Sequence, residues 1–495
     1  MRETLKMKNG NSNDNELRIV IIGAGMAGIL TAIRLREAGY ENFVIYEKSN
    51  RVGGTWRDNT YPGIACDVPA HMYTYSFEPN PEWSSTYAPG PEIHAYFLHV
   101  AKKYDVLKYV RFNEEVPHCE FIDSRWQIRT STGRKDAADF VIAATGVLHH
   151  PLIADIPGLD SFDGACFHSS RWDHSVELAG KRVGVIGTGS TAIQITSAIT
   201  DKVSRFDLFQ RTAQWIMPID DVKYTDEDRA EFRADRSKLE AVRQRVNDEF
   251  EIFSNAVIDS DSQEMKDVEN ACLANLEDNV RDPVLREKLR PDYRAGCKRL
   301  IFSGDFYDAI QHPNAHVVTD GIQRVEPEGI RLNSGELREL DVLVVATGFR
   351  ADSFIRPTTV LGRDGVNLDD VWSDHPVAYM SISIPEFPNF FMLNGPNGPV
   401  GNFSLIQIAE YQVNYILQLM ENIRAGECKE ISASASATAE FERQRSAAAK
   451  KSIWATGCKS WYLDKHGVPA SWPWSRARFF DEMAKPKLES YDLAG

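Results

Sequence analysis

The chain has 495 residues, of which 43% are hydrophobic and 26% are charged, and this composition indicates a soluble globular protein of two or three domains. A net charge of −15 argues against nucleic acid or an anionic membrane as the main partner. No apolar run approaches the about 20 residues of a membrane-spanning helix, so no membrane insertion is expected. Residues 1–16 lack the apolar core of a secretory signal, and we expect a disordered leader there.

The seven cysteines are scattered, odd in number and form no C-x-x-C motif. This pattern predicts reduced thiols in a cytoplasmic protein, with no metal site and no disulfide-exchange chemistry.

The first glycine-rich loop lies in LRIVIIGAGMAGILTAIRLREAGYENFVIYE. A β-branched strand runs into Gly23, Gly25 and Gly28, a helix follows, and a second strand ends at Glu47. The first glycine makes the turn, the second admits a pyrophosphate and the third lets the helix pack on the strand. An acid at the end of the second strand accepts a hydrogen bond from a ribose hydroxyl, so this unit predicts a dinucleotide site.

A second glycine-rich loop, RVGVIGTGSTAIQITSAI, carries Gly187 and Gly189, with Ala192 as the permitted small third residue. Arg211 lies 24 residues after Gly187, the spacing at which an acid follows the first loop. An acid at this position would repel a 2′-phosphate, whereas a guanidinium binds it through paired charge-assisted hydrogen bonds. We therefore predict an unphosphorylated dinucleotide in the first unit and NADP in the second, with Thr212 as a further donor.

The segment RVGGTW, residues 51–56, adds two glycines and a flat indole after the first unit. This combination suits a flavin, and FAD beside NADPH implies hydride transfer between them. Two strands that end in Ala-Thr-Gly, DFVIAATG and DVLVVATG, mark expected crossings between domains. We predict an α/β fold with two Rossmann-like domains: a discontinuous FAD domain over 17–150 and 340–495, and an NADP domain over 151–339 with a helical insertion at 222–292.

The segment FDGACFHSSRWD resembles the fingerprint of Baeyer–Villiger monooxygenases through Phe162, Gly164, His168 and Trp172. The resemblance also covers both glycine loops, GGTWRDNTYPGIACD, QRT, GCKR and KSWY, in family order. It implies that the fingerprint residues lie on a linker and couple domain movement to the active site. Departures at VPAHMY and in the tail SWYLDKHGVPASWPWS leave the substrate preference open.

The resemblance also implies roles for individual residues. Arg299 is the expected catalytic cation, and Asp67 is expected to pair with it. The expected FAD contacts are Gly23, Gly25, Ala27, Gly28, Glu47, Gly54, Thr55, Trp56, Asp67, Tyr73 and Val116. The expected NADP contacts are Ala65, Cys66, Thr188, Gly189, Ser190, Thr191, Gln194, Arg211, Thr212, Lys298, Arg299 and Trp461, with Arg211, Thr212 and Lys298 on the 2′-phosphate and Trp461 closing over the coenzyme.

The implied reaction converts a ketone to an ester or lactone with NADPH and O2, through a flavin C(4a)-peroxide, in a monomer or homodimer. A heteroatom oxygenase acting on sulfur or nitrogen is the alternative, and a flavin-binding sensor without turnover is a third possibility. A disulfide reductase is disfavoured because no paired redox cysteines are present in the sequence.

Overall fold

Two parallel β-sheets of five strands form the framework of residues 17–495, the part of the chain that this computed structural model describes. The predicted leader, residues 1–16, lies outside the described residues. In the first sheet the strand order is Phe390–Met392, Phe140–Ala143, Ile19–Ile22, Phe43–Glu47 and Val110–Phe112. In the second sheet the order is Ala315–Val318, Arg205–Phe209, Arg182–Ile186, Val342–Val345 and Ala165–His168. The predicted α/β fold is confirmed.

The central strands are buried on both faces, as their continuous apolar sequences predict. Ile19 and Ile21 pack into one core cluster, whereas Val20 and Ile22 pack into a second cluster on the opposite face of the sheet. Alternation of side chains along a strand produces this division. The second sheet is covered in the same way, so both glycine loops project from rigid strand ends.

The remaining elements flank these sheets. A three-stranded antiparallel sheet contains Ile322–Glu326, Gly329–Leu332 and Leu337–Glu339. A four-stranded, mainly antiparallel sheet contains Thr359–Leu361, His118–Ile122, Arg125–Arg129 and Lys135–Ala138. Two strand pairs are Ile216–Met217 with Ile301–Phe302 and Glu430–Ala433 with Tyr491–Ala494. The α-helices are Met26–Glu37, Thr55–Asp58, Gly90–Lys103, Ser190–Ile199, Asp226–Ala234, Arg236–Ala256, Gln263–Asn279, Pro283–Lys288, Phe306–Ile310, Leu368–Val371, Leu405–Arg424, Ala435–Ala449 and Arg476–Ala484. Within residues 17–495, no helix combines the length and apolar character needed to cross a membrane.

One predicted domain border needs correction. The strand Val342–Val345 lies beyond the predicted border at 339/340, yet it pairs in parallel with Arg182–Ile186 and Ala165–His168 in the second sheet. The two Ala-Thr-Gly strands therefore belong to two different sheets, and each pairs with the strand that leads into the glycine loop of its own sheet. The chain returns to the first sheet only after residue 345. Four helices, from Asp226–Ala234 to Pro283–Lys288, lie within the predicted insertion.

Candidate active site between two glycine loops

Two glycines of the first loop, Gly23 and Gly28, have no room for a side chain. Gly23 has φ of +102°, and a Cβ atom there would lie 2.7 Å from the carbonyl oxygen of Ala144. A Cβ atom on Gly28 would lie 1.9 Å from the carbonyl oxygen of Gly23. The helix Met26–Glu37 starts after Gly25 with no side-chain cap, which leaves backbone N–H groups free for an anion. The loop therefore fits the pyrophosphate of a dinucleotide.

The glycine pair that precedes Trp56 packs directly on this loop. A Cβ atom on Gly54 would lie 3.1 Å from the Cα atom of Gly25. Trp56 donates from Nε1 to the hydroxyl of Tyr73 at 3.1 Å, so the two predicted flavin neighbours form one aromatic pair. Trp56 follows Gly54 by two residues, so we expect this pair near the flavin end of FAD. Both residues suit an extended ring system because they present flat, partly buried faces.

Glu47 is buried at the end of its strand and is held by protein donors. Its Oε2 accepts from the backbone N–H of Ala24 at 2.8 Å, and its Oε1 accepts from the N–H of Ser49 at 2.8 Å and from Arg57 at 3.1 Å. A carboxylate offers about four acceptor positions, so capacity remains for a ribose hydroxyl. Arg57 therefore fixes the predicted ribose ligand, a role that the sequence reasoning missed although Arg57 directly follows Trp56.

The second glycine loop repeats the construction. Gly187 has φ of +122°, and a Cβ atom there would lie 2.3 Å from the carbonyl oxygen of Ala346. By contrast, a Cβ atom on Gly189 would meet no atom within 4 Å among the described residues, which leaves room for a ligand. The helix Ser190–Ile199 also begins without a side-chain cap. The residues present therefore fit a second pyrophosphate.

The strand register corrects the spacing argument for Arg211. Tyr46 is the register partner of Ile22, and Phe209 is the partner of Ile186. The second unit is one residue shorter between these partners, so Gln210 occupies the position that Glu47 holds in the first unit. Arg211 lies one residue further, past the strand end, where its side chain is exposed.

Arg211 nevertheless lines a large cleft together with the other predicted 2′-phosphate ligands. The cleft has a volume of about 1470 Å³ and includes Arg211, Thr212, Lys298 and Lys459 in its wall. Burial lowers the pKa of Lys298, Asp292 opposes this shift, and Arg211 lowers the pKa further. Two cations that destabilise each other are stabilised when a phosphate lies between them. Lys459 was not anticipated from the sequence.

Arg299 and Asp67 meet across 232 positions of sequence. Arg299 Nη2 donates to Asp67 Oδ2 at 2.5 Å, and Nε donates to the same oxygen at 3.2 Å. Burial alone lowers the pKa of Arg299, but Asp67 and Tyr462 outweigh it and raise the pKa above its usual range. The guanidinium therefore stays charged, and the Arg299 side chain remains 32% exposed toward the site. Tyr462 is a further missed residue, although it stands in the quoted KSWY.

The predicted pyrophosphate residues of the second loop contact the segment that carries Asp67. The amide of Gln194 donates to the carbonyl oxygen of Ala65 at 3.0 Å, and its oxygen accepts from Tyr61 at 2.8 Å. Thr188 donates to the carbonyl oxygen of Thr212 at 2.8 Å. The Gln194 bonds join the helix after the second loop to residues 61–65, next to Asp67. Cys66 is buried there, and burial raises the pKa of its thiol.

The fingerprint residues lie beside the second sheet and away from the ion pair in sequence. His168 ends a strand, is buried, and places Nε2 at 3.1 Å from the carbonyl oxygen of Gly348, the last residue of the second Ala-Thr-Gly segment. Burial lowers the pKa of His168. Trp172 packs edge-on against Phe167, with ring centroids 5.1 Å apart. These contacts tie the linker to the crossing between the sheets.

The cysteine prediction is wrong at one pair. Cys297 and Cys458 form a disulfide, although they are 161 positions apart in the sequence. Proximity of this kind is created only by the fold, so the scattered spacing could not reveal it. Cys66, Cys119, Cys166, Cys272 and Cys428 are free. Trp461, three residues after Cys458, is 49% exposed, and its ring lies tilted by 33° against Tyr462 with centroids 4.2 Å apart.

Two glycine loops that fit pyrophosphates, together with the charged Arg299–Asp67 pair, are the arrangement expected of a flavin-dependent monooxygenase, and comparison with known proteins agrees. Residues 16–228 match the family model "Flavin-binding monooxygenase-like". A Baeyer-Villiger monooxygenase of Streptomyces coelicolor is 38% identical over 96% of this chain and 92% of its own, and one of Pseudomonas aeruginosa is 37% identical over 90% and 85%. An oxidized steroid monooxygenase bound to NADP superposes with a TM-score of 0.86 at 28% identity, covering 97% of this chain and 99% of that one.

The chain belongs to the Baeyer–Villiger monooxygenases. Further similarity runs to an uncharacterized monooxygenase of Mycobacterium tuberculosis, which is 44% identical over 96% of both chains. The predicted class of flavin-dependent monooxygenase is thereby confirmed.

Proposed function

We propose that this protein converts ketones to esters or lactones with NADPH and O2, with FAD held by the first glycine loop and NADPH by the second. The observation that carries the proposal is the Arg299–Asp67 ion pair, in which Asp67 lies two residues from the Ala65 carbonyl that the helix of the second loop contacts. Bound FAD, once reduced by NADPH, supplies the activation of oxygen. Two solved structures that resemble this chain, a cyclohexanone monooxygenase with ε-caprolactone and one with NADP+, support the same assignment.

Arg299 supplies a fixed positive charge to the reacting atoms. Attack on a ketone carbonyl places negative charge on oxygen, and a preorganised guanidinium stabilises that charge without solvent reorganisation. Guanidinium keeps its charge at neutral pH, so it does not quench an anion by proton transfer. Asp67 aims the group through two hydrogen bonds to one oxygen. The same ion pair provides a physical reason for preferring ketones over sulfides or amines.

We expect the site to select NADPH over NADH by the charge of its 2′-phosphate. Arg211, Thr212 and Lys298 hold the 2′-phosphate, while the uncapped helix Ser190–Ile199 holds the pyrophosphate. Trp461 is sufficiently exposed to close over the coenzyme and exclude water from the site. Glu47 binds the adenosine ribose of FAD, and the backbone of Val116 lies alongside the adenine. A monomer or homodimer in the cytoplasm completes the proposal.

Product analysis tests this function. The purified holoenzyme is incubated with NADPH, O2 and a panel of cyclic, linear and aryl ketones, and products are identified by gas chromatography–mass spectrometry. Ester or lactone formation is expected. Hydrogen peroxide as the sole product across the panel would count against ketone oxidation, and oxidation of sulfides or amines in its place would favour the heteroatom alternative.

A further inference from the structure

The disulfide joins the two sides of the coenzyme cleft. Cys297 directly precedes Lys298, and Cys458 directly precedes Lys459, and both lysines lie in the cleft wall with Arg211. The cross-link therefore holds a lysine from the C-terminal part of the chain in the wall of the same cleft as the cations that we assign to the 2′-phosphate. Cys297 is fully buried, whereas Cys458 is 9% exposed and lines the cleft, so the cleft is the side from which a small thiol can reach the bond.

Buried Trp454 and Tyr462 anchor the two ends of this segment, and between them, among the described residues, the disulfide is the one bond to a distant part of the sequence. Within the described chain, the hydrogen bonds of residues 456–461 are local: Thr456 bonds to Ile453, and Ser460 bonds to Tyr462 and Leu463. Lys459 is exposed and has no acidic partner among the ion pairs of residues 17–495. A cation on a locally bonded segment is positioned for a ligand only while the segment is fixed. The disulfide supplies that constraint.

We propose that Cys297–Cys458 is a reversible redox cross-link that places Lys459 as a further 2′-phosphate contact, so that its oxidation state sets the affinity for NADP(H) but not for NAD(H). This inference rests on the proposed coenzyme site. It adds a specificity-determining residue and a redox-modified pair to that site.

Hydrogen peroxide can serve as the oxidant that forms the disulfide from the two thiols. Two thiols lose two electrons and two protons, one S–S bond forms, and hydrogen peroxide is reduced to two waters. Reduction proceeds when the thiolate of an external dithiol attacks one sulfur, passes through a mixed disulfide and leaves as its own disulfide, while both cysteines regain protons. Hydrogen peroxide is also what an oxygenase of the proposed type releases when its turnover fails.

The test compares coenzyme binding by the holoenzyme in its two redox states. NADP+ and NAD+ are titrated against oxidised and dithiothreitol-reduced protein by calorimetry, and alkylation with mass spectrometry records the state of each cysteine. We expect reduction to weaken NADP+ binding by about fivefold, the upper end for one exposed ion pair, and to leave NAD+ binding unchanged. Lys459→Ala should cause the same loss in oxidised protein and abolish the difference between the redox states.

Controls separate this effect from general damage. Cys458→Ser should behave as reduced protein, whereas Cys166→Ser, which removes an exposed free thiol, should keep the redox dependence. If the serine variant at 458 does not fold, the wild-type comparison still decides. Equal NADP+ affinity in both states, a parallel change for NAD+, or a bond that dithiothreitol cannot open would overturn the inference. Absence of ester product with an intact redox effect would instead reject only the ketone chemistry.

Discussion

Replacement of Arg299 by alanine is the sharpest test of the proposed chemistry. The substitution removes the positive charge that faces the reacting atoms and leaves both glycine loops unchanged. Flavin reduction by NADPH should therefore proceed at nearly the wild-type rate, because hydride transfer depends on the nucleotide sites. Ester formation should fall steeply, because the negative charge that develops on oxygen has lost its counter-ion.

The size of the effect follows from charge and exposure. Two unit charges about 4 Å apart interact by about 4 kcal/mol at an effective dielectric constant of ~20. Loss of one preorganised stabilising group commonly lowers kcat by about 10²–10³. The Arg299 side chain is 32% exposed and that of Asp67 is 16% exposed, so solvent screens part of the interaction. We expect a loss near the lower limit, about 10² in the rate of ester formation.

Two measurements on the same samples decide the matter. Anaerobic stopped-flow absorbance follows flavin reduction, and gas chromatography–mass spectrometry with a peroxide assay follows the fate of oxygen. Arg299→Lys, which keeps a positive charge but loses the paired geometry, should retain more ester formation than alanine. Asp67→Asn should fall between wild type and Arg299→Ala. An alanine variant with a normal ester yield, or with slow flavin reduction, would remove Arg299 from the role assigned to it.

Four further outcomes are expected. Arg211→Ala should raise the KM for NADPH by about tenfold or more and leave the KM for NADH little changed, because only the phosphate contact is lost; equal effects in steady-state kinetics would refute that contact. Glu47→Ala should lower FAD retention, measured as the ratio of flavin to protein absorbance, and lower the free energy of unfolding by about 3 kcal/mol, since Arg57 loses a buried partner. Gly187→Ala should lower the melting temperature because its Cβ would clash with Ala346, whereas Gly189→Ala should melt normally and bind NADP+ weakly; similar melting of the two would contradict the loop geometry. Burial lowers the pKa of His71 from 6.5 to about 4, so the unfolded state takes up the proton first as the pH falls. The free energy of unfolding should therefore fall by up to about 3 kcal/mol between pH 6.5 and pH 4. His71→Phe should reduce this pH dependence, measured by urea titrations.

Local sequence patterns were sufficient to predict the strands and glycine loops that form the framework of this protein. The turn at Gly23 and the turn at Gly187 are each required by close backbone packing within a unit of about thirty residues, so their glycines appear directly in the sequence. The same locality made the buried strands and the two nucleotide loops predictable. Resemblance to the family then paired Arg299 with Asp67, and the structure places their side chains in contact.

Long-range geometry decided what local patterns could not. The shift of one residue at Arg211 depends on strand register, and the assignment of Val342–Val345 to the second sheet depends on which strand lies beside it. The Cys297–Cys458 bond and the position of Lys459 in the same cleft as Arg211 join segments that no local spacing relates. Such contacts result from how whole sheets and loops pack together, whereas turns and strands result from the preferences of neighbouring residues. The sequence thus determined the two glycine loops, and only the tertiary structure brought Asp67 into contact with Arg299 and its neighbour Ala65 into contact with the helix of the second loop.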